Sequence, residues 1–172
     1  DDADSSFDWS ASDAFNGMTR VNTSSDSQSG VTFWWTTPAA YEMAIVPAQR
    51  DVRGMTWLAL RAAQITRAPE TTAALSDLTF TVKLFDGAGR SSGIAIDAYA
   101  GGLEEPYQRD LCSVVGLGWQ DEMEVVRIRL DDFRHEGSDL DLSDVRAIRL
   151  EFGGAAGSAQ GRIAIDDVRF ER

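Results

Sequence analysis

Apolar residues recur with period two along most of this chain. Leu78, Phe80, Val82 and Leu84 share one phase, and Thr79, Thr81 and Lys83 occupy the other. Val126, Ile128 and Leu130 alternate with Arg127 and Arg129, as Ile148, Leu150 and Phe152 do with Arg149 and Glu151. In an extended chain successive side chains point to opposite sides, so each such run predicts a strand with one apolar and one wetter face. The pattern predicts strands at 31–37, 41–46, 55–63, 78–86, 94–99, 125–130, 147–152 and 162–170. Helical patterning is confined to single turns expected at 69–76 and 131–135, the second with acids at its positive end. Many short amphipathic strands with few helices predict an all-β, antiparallel β-sandwich of the jelly-roll kind.

The first 30 residues differ, with six aspartates, eight serines and one arginine. Phe7-Asp8-Trp9 and Met18-Thr19-Arg20-Val21 could each supply a short strand, and 22–30 reads as a loop by composition. The expected organisation is one domain in all. An acidic, Ser/Asp-rich segment (1–30) docks in part onto a jelly roll spanning 31–172. The longest connection runs from 101 to 124.

The chain has 172 residues and a formal charge of −12, from 16 basic and 28 acidic side chains. That length buries a sizeable core. Cys112 is alone, which excludes an intrachain disulfide and a Cys-Xaa-Xaa-Cys site, and His135 is alone, which excludes any site needing two imidazoles. The charge argues against generic binding to nucleic acid or anionic membranes, and the placement of its acids in turns and strand edges favours, among glycans, a neutral ligand. No apolar stretch reaches the roughly 18 residues of a membrane span. The chain opens at Asp1 without a basic or apolar leader, so a secretory signal would already be gone. No nucleophile elbow, phosphate loop or zinc-protease motif is present, and His135 lies in a charged turn between Arg134 and Glu136.

Three segments in the last third carry a resemblance. They are Val126-Arg127-Ile128-Arg129-Leu130-Asp131-Asp132-Phe133, Leu140-Asp141-Leu142-Ser143-Asp144-Val145, and Ile163-Ala164-Ile165-Asp166-Asp167-Val168-Arg169-Phe170. With the strand from Asp51 to Leu60 and the hairpin Phe85-Asp86-Gly87-Ala88-Gly89-Arg90, they resemble galactose-binding-like jelly rolls, in particular carbohydrate-binding modules similar to family 11. The resemblance implies a non-catalytic module of a secreted bacterial protein that holds a tethered enzyme near a polysaccharide. It also implies a structural calcium ion, with Asp166 and Asp8 as ligands; alternatively Asp166 and Asp167 mark a bulge or strand edge. The acids of 139–144 suit a turn with Asx hydrogen bonds better than an EF-hand loop.

A sugar site needs aromatic faces for the apolar side of a pyranose and planar polar groups for its hydroxyls. Strand phase nominates Trp57 and Arg61 opposite Leu58 and Leu60, and Asp97 and Tyr99 opposite Ile94 and Ile96. Trp34 lies in the wetter phase of its strand. Tyr107 lies in the long connection, which would either rim such a cleft or cover it. Two further functions stay open: a structural accessory sandwich fused to a secreted hydrolase such as an esterase, and a jelly-roll glycoside hydrolase or lyase.

Overall fold

The alternation in the sequence becomes a division of each strand into an inward and an outward row. A computed structural model describes residues 7–8, 18–22, 29–65, 76–105, 107–108, 119–120, 123–135 and 138–172. Its elements are β1 (Phe7–Asp8), β2 (Met18–Asn22), β3 (Ser29–Trp35), β4 (Ala39–Ile45), β5 (Trp57–Gln64), β6 (Thr81–Asp86), β7 (Ser91–Ala95), one helical turn α1 (Asp97–Ala100), β8 (Tyr107–Gln108), β9 (Trp119–Gln120), β10 (Glu124–Arg129), β11 (Val145–Phe152) and β12 (Gly161–Glu171). For β1, β2, β8 and β9 the backbone alone is described.

Two five-stranded sheets form, the first in the order β1-β4-β11-β6-β7 and the second in the order β10-β5-β12-β3-β2. All pairings within them are antiparallel. This is the antiparallel jelly-roll sandwich that the alternation predicts, and β8 and β9 form a separate two-stranded ribbon within the long connection. The acidic N-terminal segment contributes β1 to an edge of the first sheet and β2 to an edge of the second. The helical turn expected at 131–135 is a 3-10 turn, Leu130–Arg134. The turn expected at 69–76 lies outside the described residues except for Ser76.

The inward rows close on one another around Phe152. Its ring lies 4.6 Å from Trp35, 5.3 Å from Phe80 and 6.1 Å from Phe33, so residues from both sheets meet there. Phe33 in turn stacks at 4.7 Å on Tyr41. Tilted aromatic contacts at these separations add to the burial free energy of the rings themselves. The 153–158 turn then folds back on the strand entry at Thr79. Gly157 has φ +144°, and a Cβ there would lie 2.3 Å from the Thr79 carbonyl oxygen, so only glycine fits.

One predicted strand is not where the alternation put it. The chain leaves β7 at Ala95 and turns into α1, with the Tyr99 N–H donating to the Ile96 carbonyl at 3.0 Å. Residues three apart on a helical turn share a side, so Ile96 and Tyr99 both pack toward the core. A period of two had set them on opposite faces.

A buried carboxylate ties the first sheet to its loops. The Asp86 side chain is fully buried at the end of β6. It accepts hydrogen bonds from the backbone N–H groups of Ala88 (2.9 Å), Arg90 (2.9 Å) and Asp141 (3.0 Å), and from Arg90 Nε at 2.7 Å. Burial pushes its pKa upward. The four donors outweigh that and hold the carboxyl below its ordinary value of 3.8. Asp86 therefore stabilises the fold at neutral pH, and that contribution fades as pH falls through the depressed folded pKa. We expect Asp86→Asn to cost about 3–5 kcal/mol in urea unfolding at pH 7, because its amide sets donors against donors. The difference between variant and parent should shrink in the same assay as pH falls below 4.

Candidate functional site

The outward faces of the two sheets differ in charge balance. On the first sheet, Arg149 reaches Glu42 at 2.8 Å and Glu151 at 3.9 Å, and Lys83 reaches Glu151 at 3.2 Å. The aromatic ring of that face, Phe85, lies beneath the Arg149 guanidinium at 4.7 Å. Two acids and two bases satisfy one another there, and a guanidinium lies over one face of the half-buried ring.

The second sheet presents a three-by-three array. Strand register aligns Arg129 with Trp57 and Trp57 with Glu171, then Arg127 with Ala59 and Ala59 with Arg169, then Val125 with Arg61 and Arg61 with Asp166. Rows lie roughly 6.7 Å apart along the strands and columns about 4.8 Å apart across them. Ala59 is buried at the centre, Trp57 is half-buried, and Val125 on the edge strand is 49% exposed. Glu171 bridges two arginines, accepting from Arg127 Nε at 2.8 Å and Arg169 Nη2 at 2.6 Å. The Arg127 hydrogen bond, seconded by Arg169, holds the Glu171 carboxyl below its ordinary range. Arg61 has Asp166 as its nearest carboxylate, at 3.7 Å.

The array exists because β12 contains a bulge. Ile163 and Ile165 point into the core and Asp166 points out; strict alternation would then send Arg169 and Glu171 inward. Between Asp166 and Arg169 the strand instead carries one residue more than β5 opposite it. Asp167 takes φ +53°, the only positive value among the described non-glycine residues, and its N–H donates to Asp166 Oδ1 at 2.8 Å. Aspartate tolerates this left-handed conformation better than most residues. The phase shifts by one, so Val168 and Phe170 pack on the core and Arg169 and Glu171 face outward.

Trp57, Arg61 and Trp34 do share this outward face, but not one subsite. Trp34 is 36% exposed on β3 and aligns with Arg162. Counting strands and residues, it lies roughly 28 Å from Trp57. Between them Ala63, Ala164 and Thr32 are buried, so this part of the face is closed and the face is neither wholly open nor wholly covered. Asp97 and Tyr99 are not on the face: they belong to α1, beyond an edge of the other sheet. The Tyr99 hydroxyl donates to Asp132, within the 3-10 turn. Tyr107 lies on β8, in the separate ribbon. Cys112 lies outside the described residues. Phase alone had exposed Arg127 and Arg129, but their place beside Trp57 follows from the strand order, which no single strand encodes. Arg169 and Glu171 were hidden by the bulge.

The described backbone does not bring the two expected calcium ligands together. Asp8 pairs with Ala44 at an edge of the first sheet, whereas Asp166 faces outward from the middle of the second. One Asp166 oxygen accepts the Asp167 N–H and the other faces a guanidinium, which repels a cation. No group of three potential ligands gathers among the described residues. The acids of 139–144 form the expected Asx turn, with the Ser143 N–H and hydroxyl donating to Asp141 Oδ1 at 2.9 and 2.7 Å.

No family model matches this sequence, and no curated protein does. Solved structures do. A family 30 carbohydrate-binding module of a cellulosomal cellulase from Clostridium thermocellum superposes with a TM-score of 0.55 at 11% identity, covering 96% of this chain and 85% of that one. A family 11 module of a second cellulosomal cellulase from the same organism gives 0.51 at 10% identity, covering 90% and 80%. The fold is the jelly roll of carbohydrate-binding modules.

The bulge can be tested directly. Asp167→Gly should fold with stability equal to the parent or better, because glycine meets positive φ without strain. Asp167→Val should lose about 1–2 kcal/mol in denaturant unfolding, because a β-branched side chain clashes in that conformation. Equal losses in both variants would mean that the aspartate side chain, and not the backbone conformation, maintains the phase.

Proposed function

We propose that this chain is a non-catalytic carbohydrate-binding module of a secreted protein, gripping a glycan on the outward face of its second sheet. The observation that carries this reading is the contrast between the two faces. The first sheet pairs its charges and lays a guanidinium over its half-buried ring, whereas the second sets the half-buried Trp57 beside Arg129, whose side chain has no hydrogen bond or ion pair among the described residues. An indole face stacks on the apolar side of a sugar ring, and a neighbouring guanidinium offers planar donors to hydroxyls. The fold shared with carbohydrate-binding modules supports the same reading. Holding a tethered enzyme beside an insoluble polymer would raise the local concentration of its substrate.

Four of the carboxylates do not suit the acid of a glycoside hydrolase. Glycoside cleavage needs one carboxyl held protonated near neutral pH. Asp51, Asp86, Asp141 and Glu171 shift the opposite way, each held low by hydrogen bonds. A structural accessory role has one observation in its favour, the closure of the face over Ala63, Ala164 and Thr32.

Affinity electrophoresis through gels loaded with soluble polysaccharides separates the two. At least one polymer should retard the parent chain, and Trp57→Ala, compared at a temperature where both proteins are folded, should weaken that retardation tenfold or more. Retardation by no polymer would leave the accessory role.

A further inference from the structure

We infer that the ligand of this face is an acidic polysaccharide, whose carboxylate or sulfate groups pair with Arg61 and Arg129 while a sugar ring rests on Trp57. This rests on the glycan-binding reading above and names its substrate class. The outward face of the second sheet carries Arg61, Arg127, Arg129, Arg162 and Arg169 against Asp166, Asp167 and Glu171. Among the described side chains that is 5 − 3 = +2 on one face of a chain whose total is −12. On the first sheet each base has a carboxylate at close range: Lys83 and Arg149 pair with Glu151 and Glu42, and the exposed Arg146 of β11 pairs with Asp144 just before that strand.

The arginines are not equally engaged. Glu171 takes Arg127 on one oxygen and Arg169 on the other, which fixes both. Arg129 has no hydrogen bond or ion pair among the described residues, and Arg61 has only the distant Asp166 carboxylate at 3.7 Å. Two guanidinium forks therefore remain available, and a fork matches a carboxylate or sulfate in bidentate fashion. Arg129 stands next to Trp57 across the strands, and Arg61 lies two same-face positions farther along β5. Their backbones are roughly 14 Å apart, more than a single sugar spans, so the array suits acidic groups repeated along a chain.

The total charge does not forbid this. Beyond about 8 Å, exposed charges are screened at physiological ionic strength, so a polymer on this face meets the local arginines first. The expectation of a neutral glycan rested on acids placed in turns and strand edges; the strand order that brings the arginines onto one face lay outside it.

The test uses the whole chain against a polyuronate, a sulfated galactan and a neutral mixed-linked β-glucan, at low salt and at about 0.5 M salt. We expect one or both acidic polymers to bind at least tenfold more tightly than the glucan, with the preference shrinking at high salt. The two acidic arms distinguish carboxylate from sulfate. Arg61→Ala with Arg129→Ala should remove the acidic preference without lowering the melting temperature, and Arg61→Lys with Arg129→Lys should restore part of it. Glucan bound as tightly as the acidic polymers, or an acidic preference unchanged in the double alanine variant, overturns this inference and leaves glycan binding standing. Binding to none of the three at either salt overturns both.

Discussion

Residues 163 and 165 of β12 point into the core, and so do 168 and 170; the second sheet depends on the change of phase between them. β12 lies in the middle of that sheet, paired with β5 on one side and β3 on the other. Without the extra residue at Asp167, its C-terminal half would carry Arg169 and Glu171 into an interior already filled by aromatic rings. Burying that ion pair would cost several kcal/mol per ion, a large part of the about 5–15 kcal/mol that holds an ordinary domain together. A left-handed aspartate costs about 1–2 kcal/mol. The comparison decides the backbone path, and the path places two of the charges that face solvent.

The same economy explains why the two sheets look alike inside and different outside. Inside, apolar rows must fill one shared volume, so Phe152 is surrounded by Trp35, Phe80 and Phe33. Outside, packing imposes little, and ion pairing decides which side chains are held and which remain available. On the first sheet Glu42, Arg149, Glu151 and Lys83 form one chain of ion pairs, and Arg146 is held by Asp144. On the second, one glutamate serves two arginines and others are left with capacity to spare.

The sandwich was legible in the sequence because burial imposes period two on each strand separately, so Leu78 to Leu84 or Ile148 to Phe152 can be read without knowing their neighbours. The short strands at 7–8 and 18–22 were legible from their few apolar anchors in an otherwise polar segment. Trp57 and Arg61 were legible for the same reason as the core: their phase opposes Leu58 and Leu60. Asp97 and Tyr99 were misplaced because Ile94 and Ile96 fit a strand, and the helical turn that follows Ala95 leaves only Ile96 and Tyr99 at a spacing of three. The arginine array could not be read at all. It arises where three strands far apart in sequence lie side by side, and where one of them shifts phase at a residue pair that looks equally suited to holding a cation.

Arg127 and Arg129 lie on β10, which ends the second sheet with Val125 exposed beside them. An edge strand offers unpaired backbone groups to any passing chain, and exposed charges are among the devices that keep such edges from joining. Arg129, proposed above to pair with a glycan, and Arg127 beside it therefore have a further task, keeping one copy of the sandwich from zipping onto another. A descendant that exchanged them for neutral residues, to suit an uncharged ligand, would acquire an edge prone to self-association and would need a proline, a bulge or a covering loop there. The choice of ligand and the solubility of the module are thereby coupled through a single strand.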